Sequence, residues 1–149
     1  MTDAGGMRFT NTITIDRSRD EVFAFLTDLE NLPRWNYAIS RTHQVTAGPV
    51  AVGSRFNQVR TVPTYREETL EVVELEPGER LTVSGTLNTL PARLGYVVES
   101  AGGTTVLTNE VELSVRGPLS LMSPLATRRI KSAVAANLGV LKQILEGAG

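Results

Sequence analysis

Seven polar side chains fall where strand alternation would carry them onto apolar faces: Asn11, Gln58, Arg60, Arg66, Glu68, Tyr96 and Asn109. If Phe56 points inward, Gln58 and Arg60 follow, because successive strand side chains alternate between faces. Leu70 and Val72 bring Glu68 and Arg66 with them, Leu94 and Val98 bring Tyr96, and Leu107, Val111, Leu113 and Val115 bring Asn109. Asn11 lies between Phe9 and Ile13. A few polar groups in an apolar pocket serve to orient a ligand. A carboxylate beside a guanidinium, Glu68 with Arg60 or Arg66, is also equipment for acid–base chemistry once burial moves a pKa towards neutrality. Glu68, Arg60 and Tyr96 are therefore the catalytic candidates, while Trp35, Tyr37 and His43 are candidates near an entrance.

Each candidate also has a plainer reading. A register slip of one residue would turn Arg60, Arg66 and Glu68 into a cross-strand surface pair. Asn11 and Asn109 could satisfy each other or a water. Tyr96 reads equally as a packed core aromatic, Trp35 as a plug at the end of a sheet, and His43 as a solvated strand residue. Arg128-Arg129 reads as a solvated helix face.

Composition narrows the chemistry. The chain has 149 residues, 15 Lys plus Arg against 16 Asp plus Glu, one His and no Cys. A single domain of this size buries roughly 68–70% of its unfolded surface, so a core needs no metal or disulfide staple. Without Cys there is no disulfide framework, thiolate nucleophile or Cys-based metal site. With one His there is no His-rich metal site either; neither metal nor cofactor is expected. The near-zero net charge gives no basic footprint for nucleic acid. No apolar run reaches the ~18–20 residues of a membrane span. These features suggest a soluble cytoplasmic protein, monomer or homodimer, with residues 1–6 as a disordered lead-in rather than a signal peptide and 7–149 as one domain.

The elements that must position these groups follow from periodicity. Met7 to Ile15 alternates as a strand. Ser18 with Glu21 three residues on is a capping box, opening a helix whose stripe is Val22, Phe23, Phe25, Leu26 and Leu29. Pro33 breaks it, and Asn31 to Asn36 predicts a further short turn. From Ile39 to Val115 about six strands are expected, with breaks at Ala47-Gly48-Pro49, Val62-Pro63-Thr64, Glu76-Pro77-Gly78-Glu79, Leu90-Pro91 and Ala101-Gly102-Gly103. Gly117-Pro118 closes that region. Leu125, Ile130, Val134, Leu138, Leu141 and Leu145 then predict a long amphipathic helix, either kinked in its first turn by Pro124 or starting near Ser123, with Ser123 as N-cap and Pro124 at its first position. The order implies an α+β fold, a curved antiparallel sheet of about seven strands around the terminal helix. A sheet so curled leaves a gap beneath the N-terminal half of that helix, which side chains must fill or a ligand occupy.

The residues also resemble a family. Asn11-Thr12-Ile13-Thr14-Ile15, the capped helix from Ser18 to Leu26, and Leu32-Pro33-Arg34-Trp35 resemble the opening of the SRPBCC (START-like, helix-grip) superfamily. Val52-Gly53-Ser54-Arg55-Phe56, Glu74-Leu75-Glu76-Pro77 and Gly102-Gly103-Thr104 are similar to its later landmarks. Ala136-Asn137-Leu138, Leu141-Lys142 and Ile144-Leu145-Glu146 resemble its polyketide cyclase/dehydrase branch. The resemblance implies the helix-grip fold around a deep cavity, in a superfamily of lipid carriers, receptors, cyclases, oxygenase subunits and chaperone activators. For the aromatase/cyclases it implies an Arg and Tyr cavity that shapes a poly-β-ketone chain. Here the chain departs: those cyclases carry tryptophans where this one has Tyr65-Arg66-Glu67-Glu68-Thr69-Leu70.

Three functions are weighed. The first is a small hydrophobic ligand bound in an internal cavity, polyketide cyclase/dehydrase-like, with acid–base chemistry of a lyase or isomerase. The second is a non-catalytic carrier of a lipid or hydrophobic metabolite. The third is a protein-interaction module of the chaperone-activator or toxin type. The ligand-binding candidates are Trp35, Tyr37, Gln58, Arg60, Glu68, Tyr96, Asn109 and Asn11.

Overall fold

In the computed structural model, which describes residues 6–114 and 124–147, one antiparallel sheet grips one long helix. The elements run β1 (Gly6–Ile15), α1 (Arg19–Thr27), a 3-10 turn (Leu29–Asn31), α2 (Leu32–Trp35), β2 (Ile39–Gln44), β3 (Arg55–Arg60), β4 (Arg66–Glu76), β5 (Arg80–Leu87), β6 (Leu90–Ala101), β7 (Thr104–Ser114) and α3 (Pro124–Gly147). The sheet has seven strands in the order β1-β7-β6-β5-β4-β3-β2. Consecutive strands from β2 to β7 are neighbours because short connections favour hairpins. β1 then closes against β7 from Gly6↔Ser114 to Ile15↔Thr105. The first strand thus opens at Gly6, one residue inside the lead-in assigned from sequence. The Gly117-Pro118 boundary and the Ser123 cap lie outside the described residues, and α3 begins at Pro124.

Local chemistry explains most boundaries. Ser18 Oγ accepts the Glu21 N–H while the Glu21 carboxylate accepts the Ser18 N–H, the reciprocal capping box. Gly102 and Gly103, at φ 60° and 93°, form the two-residue turn between β6 and β7, a geometry needing positive φ at both positions. Gly85 answers a different need: a Cβ there would sit 2.5 Å from the Thr69 carbonyl oxygen and 2.8 Å from Leu70 Cδ2.

Two expectations are corrected. Leu90-Pro91 is no break; both residues belong to β6, with Leu87↔Leu90 and Thr86↔Pro91 paired. The turn is Asn88-Thr89, at φ 49° and 72°, and Pro91 is tolerated because it stands at the beginning of its strand. His43 is not at an entrance. A register shift between Ile39 and Arg41 turns Thr42 inward and leaves Arg41 and His43 on the outer face.

The core lies in two parts. Under α1 and the C-terminal half of α3, Ile15, Val22, Leu26, Phe56, Leu70, Leu81, Val98, Leu107, Leu138 and Leu141 pack tightly. Under the N-terminal half, a smaller cluster of Met7, Phe9, Ala92, Val111 and Leu113 touches Ile130 and Val134. The hollow described next lies where these two clusters meet.

Candidate functional site

A hollow of about 270 Å³ opens between α3, β6, β7 and the loops around α2. Leu94, Val111 and Leu113 form its floor, Ile130, Ala133 and Val134 its roof, and Val62, Pro63, Leu87 and Leu90 one flank. These positions follow from alternation on β6 and β7 and from the three-to-four spacing on α3. α2 delivers Trp35, which is buried and stands edge-to-face with Tyr96, ring centroids 6.3 Å apart at 84°. Tyr37 lies at the mouth and is 64% exposed.

Of the residues singled out from sequence, Trp35, Tyr37, Arg60, Tyr96 and Asn109 line this hollow. Burial pushes the Tyr96 phenol far above its ordinary range, so it is a neutral donor at physiological pH. Its hydroxyl has no hydrogen-bond partner among the described residues. Asn109 Nδ2 donates to the Gly95 carbonyl at 3.0 Å.

Gln58 and Glu68 are buried and do not line this hollow; both border a second pocket, on the β2–β4 side of the sheet. The Glu68 carboxylate accepts from Gln58 Nε2 at 2.8 Å, from Arg60 Nε at 3.1 and 2.9 Å, and from the Asn88 N–H at 2.6 Å. Side-chain exposure of this ion pair is 12% for Arg60 and 4% for Glu68. Thr42 Oγ1 and Gln58 Oε1, on directly paired residues, are buried with no partner among the described residues.

Two inward assignments are corrected. Arg66 is exposed and donates from Nε to Asn88 Oδ1 at 3.0 Å. It stands directly opposite Arg60, and like charges at a cross-strand pair repel, so one takes Glu68 and the other turns to the hairpin tip. Asn11 is half-buried, and its Nδ2 donates to the Lys131 carbonyl at 3.2 Å, tying β1 to α3 instead of lining the hollow. It is paired in register with Asn109, yet each amide finds its own partner. His43 shares an outer groove with Arg41, Asn57, Tyr65 and Glu67, where the Tyr65 hydroxyl donates to Glu67 at 2.7 Å.

Asn137 is the residue that sequence reasoning missed. It is buried on α3, faces the hollow, and has no side-chain partner among the described residues. Its signal was available: the apolar stripe Val134, Leu138, Leu141 has an amide on the same face. Asn36 and Asn88 complete the polar rim.

Chemically, the lining holds donors and amides but, among the described residues, no carboxylate or imidazole. It can fix and polarise a ligand oxygen. No group of three or more His, Asp or Glu able to hold a metal occurs among the described residues. Nor is any described helix long and apolar enough to cross a membrane.

Comparison with known proteins bears on the fold. Residues 7–146 match the family model for polyketide cyclase/dehydrase and lipid transport. Comparison with the curated proteins gives no sequence match. Among solved structures, a START superfamily protein from Mycobacterium smegmatis is 13% identical with a TM-score of 0.80, covering 95% of this chain and 99% of that one. The Zhui aromatase/cyclase from Streptomyces sp. R1128 is 12% identical with a TM-score of 0.75, over 97% and 98%. The di-domain aromatase/cyclase StfQ of the steffimycin biosynthetic pathway is 16% identical with a TM-score of 0.77, over 96% of this chain and 51% of that one.

Proposed function

The chain belongs to the polyketide cyclase/dehydrase and lipid transport family of the START-like superfamily, and from that premise we propose that it is a soluble, cytoplasmic binder of a small, largely apolar molecule, held in the hollow rather than transformed there. The observation that carries this reading is an apolar chamber lined by two polar side chains without a hydrogen-bond partner among the described residues, those of Tyr96 and Asn137. Such a chamber rewards an apolar body bearing at least one oxygen for these donors. Its volume of about 270 Å³ lies just below the ~300–1,000 Å³ of small-molecule sites, which favours a one- or two-ring or short-chain ligand.

Acid–base catalysis is the weaker reading. A base must reach the proton it removes. The one buried carboxylate in the vicinity, Glu68, already accepts four hydrogen bonds and does not line the chamber. Tyr96, kept neutral by burial, can donate but not abstract.

Fluorescence titration with neutral N-phenyl-1-naphthylamine tests the proposal, using the unaltered protein and Ala133→Phe, which projects a ring into the roof. The unaltered protein should enhance the dye's emission saturably and Ala133→Phe should not, with both equally folded by circular dichroism. Undiminished dye binding by the filled variant would place the apolar site elsewhere. Native mass spectrometry of freshly purified protein should also show a retained small molecule.

A further inference from the structure

Arg60 has more hydrogen-bond donors than the protein uses. Its guanidinium carries five N–H groups. Only the one on Nε has an acceptor, the Glu68 carboxylate; the four on Nη1 and Nη2 have none among the described residues. Yet the side chain is only 12% exposed and lines the hollow. Both Glu68 oxygens are already engaged, in four contacts from three N–H donors, the Arg60 Nε–H being shared between them. Arg60 Nη1 and Nη2 are not among the fully buried unpartnered atoms of the described residues, so the contents of the hollow, water or a ligand, can reach them and supply the acceptor.

We propose that the molecule bound in this hollow carries a carboxylate, received end-on by the two terminal nitrogens of Arg60. The inference rests on the ligand-binding reading above and adds the class of head group. A guanidinium fork matches two coplanar oxygens, giving parallel charge-assisted bonds that a lone hydroxyl cannot reproduce. Glu68 grips Nε and thereby fixes the plane of the fork before a ligand arrives, which lowers the ordering cost of binding. The same carboxylate sets a ceiling. Its negative charge opposes a second anion beside Arg60, so the preference for an acid over a neutral analogue should be moderate. The apolar body then lies along Leu94, Val111, Ile130 and Val134, towards Tyr96 and Asn137.

Isothermal titration of the full chain near neutral pH with octanoic acid, octanamide and 1-octanol tests this. Octanoate should bind about tenfold tighter than the alcohol, with the amide between them. The double variant Arg60→Gln/Glu68→Gln removes both charges together, so neither is left buried alone. It should lose the acid's advantage, the ratio of acid to alcohol affinity falling to about one. Arg60→Lys, which keeps the charge beside Glu68 but not the fork, is the second variant and should lose most of the same advantage. Equal affinities for acid and alcohol in the unaltered protein would overturn the carboxylate inference and leave the chamber standing as a ligand site. So would an advantage retained by both variants. Failure of all three compounds to bind or to displace the naphthylamine dye would overturn both readings.

Discussion

Replacing Glu68 with alanine should damage stability far more than an ordinary surface substitution, and the structure says how much. The change strips acceptors from Arg60 Nε, Gln58 Nε2 and the Asn88 N–H at once. Removing one partner of a buried ion pair costs about 3–5 kcal/mol. Arg60 borders a hollow that water can enter, so the lower part of that range, about 3 kcal/mol, applies. For a chain of this length that lowers Tm by roughly 6–12 °C. The double variant Arg60→Met/Glu68→Met removes the stranded charge and leaves only the Gln58 and Asn88 donors unmet, for about 1–3 kcal/mol. It should therefore cost no more than Glu68→Ala and well under the sum of the two single methionine substitutions. Urea unfolding followed by far-ultraviolet circular dichroism measures the four variants and the parent. Amide exchange at Asn88 supplies a local readout, since its 2.6 Å bond to Glu68 pins the β5–β6 turn. A Glu68→Ala protein within about 1 kcal/mol of the parent, or strictly additive substitutions, would refute the buried, four-bonded carboxylate.

Further outcomes test other parts of the molecule. Because Tyr96 keeps its proton in the folded state to well above the ordinary tyrosine value of 10.0, the unfolded chain deprotonates first, and stability must fall as pH rises through that value. Tyr96→Phe should flatten this alkaline loss in urea unfolding at a series of pH values; an unchanged slope would contradict burial of the phenol. Gly85→Ala should destabilise by about 1–3 kcal/mol through its clash with the Thr69 carbonyl. Gly139→Ala, in open space on α3, should stabilise by about 0.4–1 kcal/mol. Opposite signs in thermal melts are the criterion. Leu141→Ala, with no exposure, should cost about 2–5 kcal/mol. Ile130→Ala should cost distinctly less, because its side chain is half-buried and already borders the hollow. Equal losses would mean that the two halves of α3 are packed alike.

Much of the fold was legible because its signals are local. The alternation of Met7, Phe9, Ile13 and Ile15, the Ser18–Glu21 box, and Gly102-Gly103 each act over two to four residues. That Glu68 would meet Arg60 or Arg66 also followed from alternation on two adjacent strands joined by a short loop; which of the two did not. What could not be read was where alternation fails. One irregularity in β2 put His43 outside, and Arg66, opposite Arg60 on the last rung of the β3–β4 ladder, is exposed and bonds Asn88 instead of Glu68. The turn at Asn88-Thr89 carries no glycine, so Pro91 drew the break to the wrong place.

By itself the sequence determined the elements, their order, the grip of a sheet on a terminal helix and the list of polar residues able to face inward. Backbone geometry imposes those periods on any chain, whatever lies far away in sequence. Tertiary structure alone decided which of those polar groups remain unpartnered. Glu68 is saturated because a turn twenty residues later brings the Asn88 N–H against it, and Arg60 keeps free donors for the same reason. Asn137 reaches the hollow only because α3 crosses the sheet there, bringing the end of the chain over strands formed long before it.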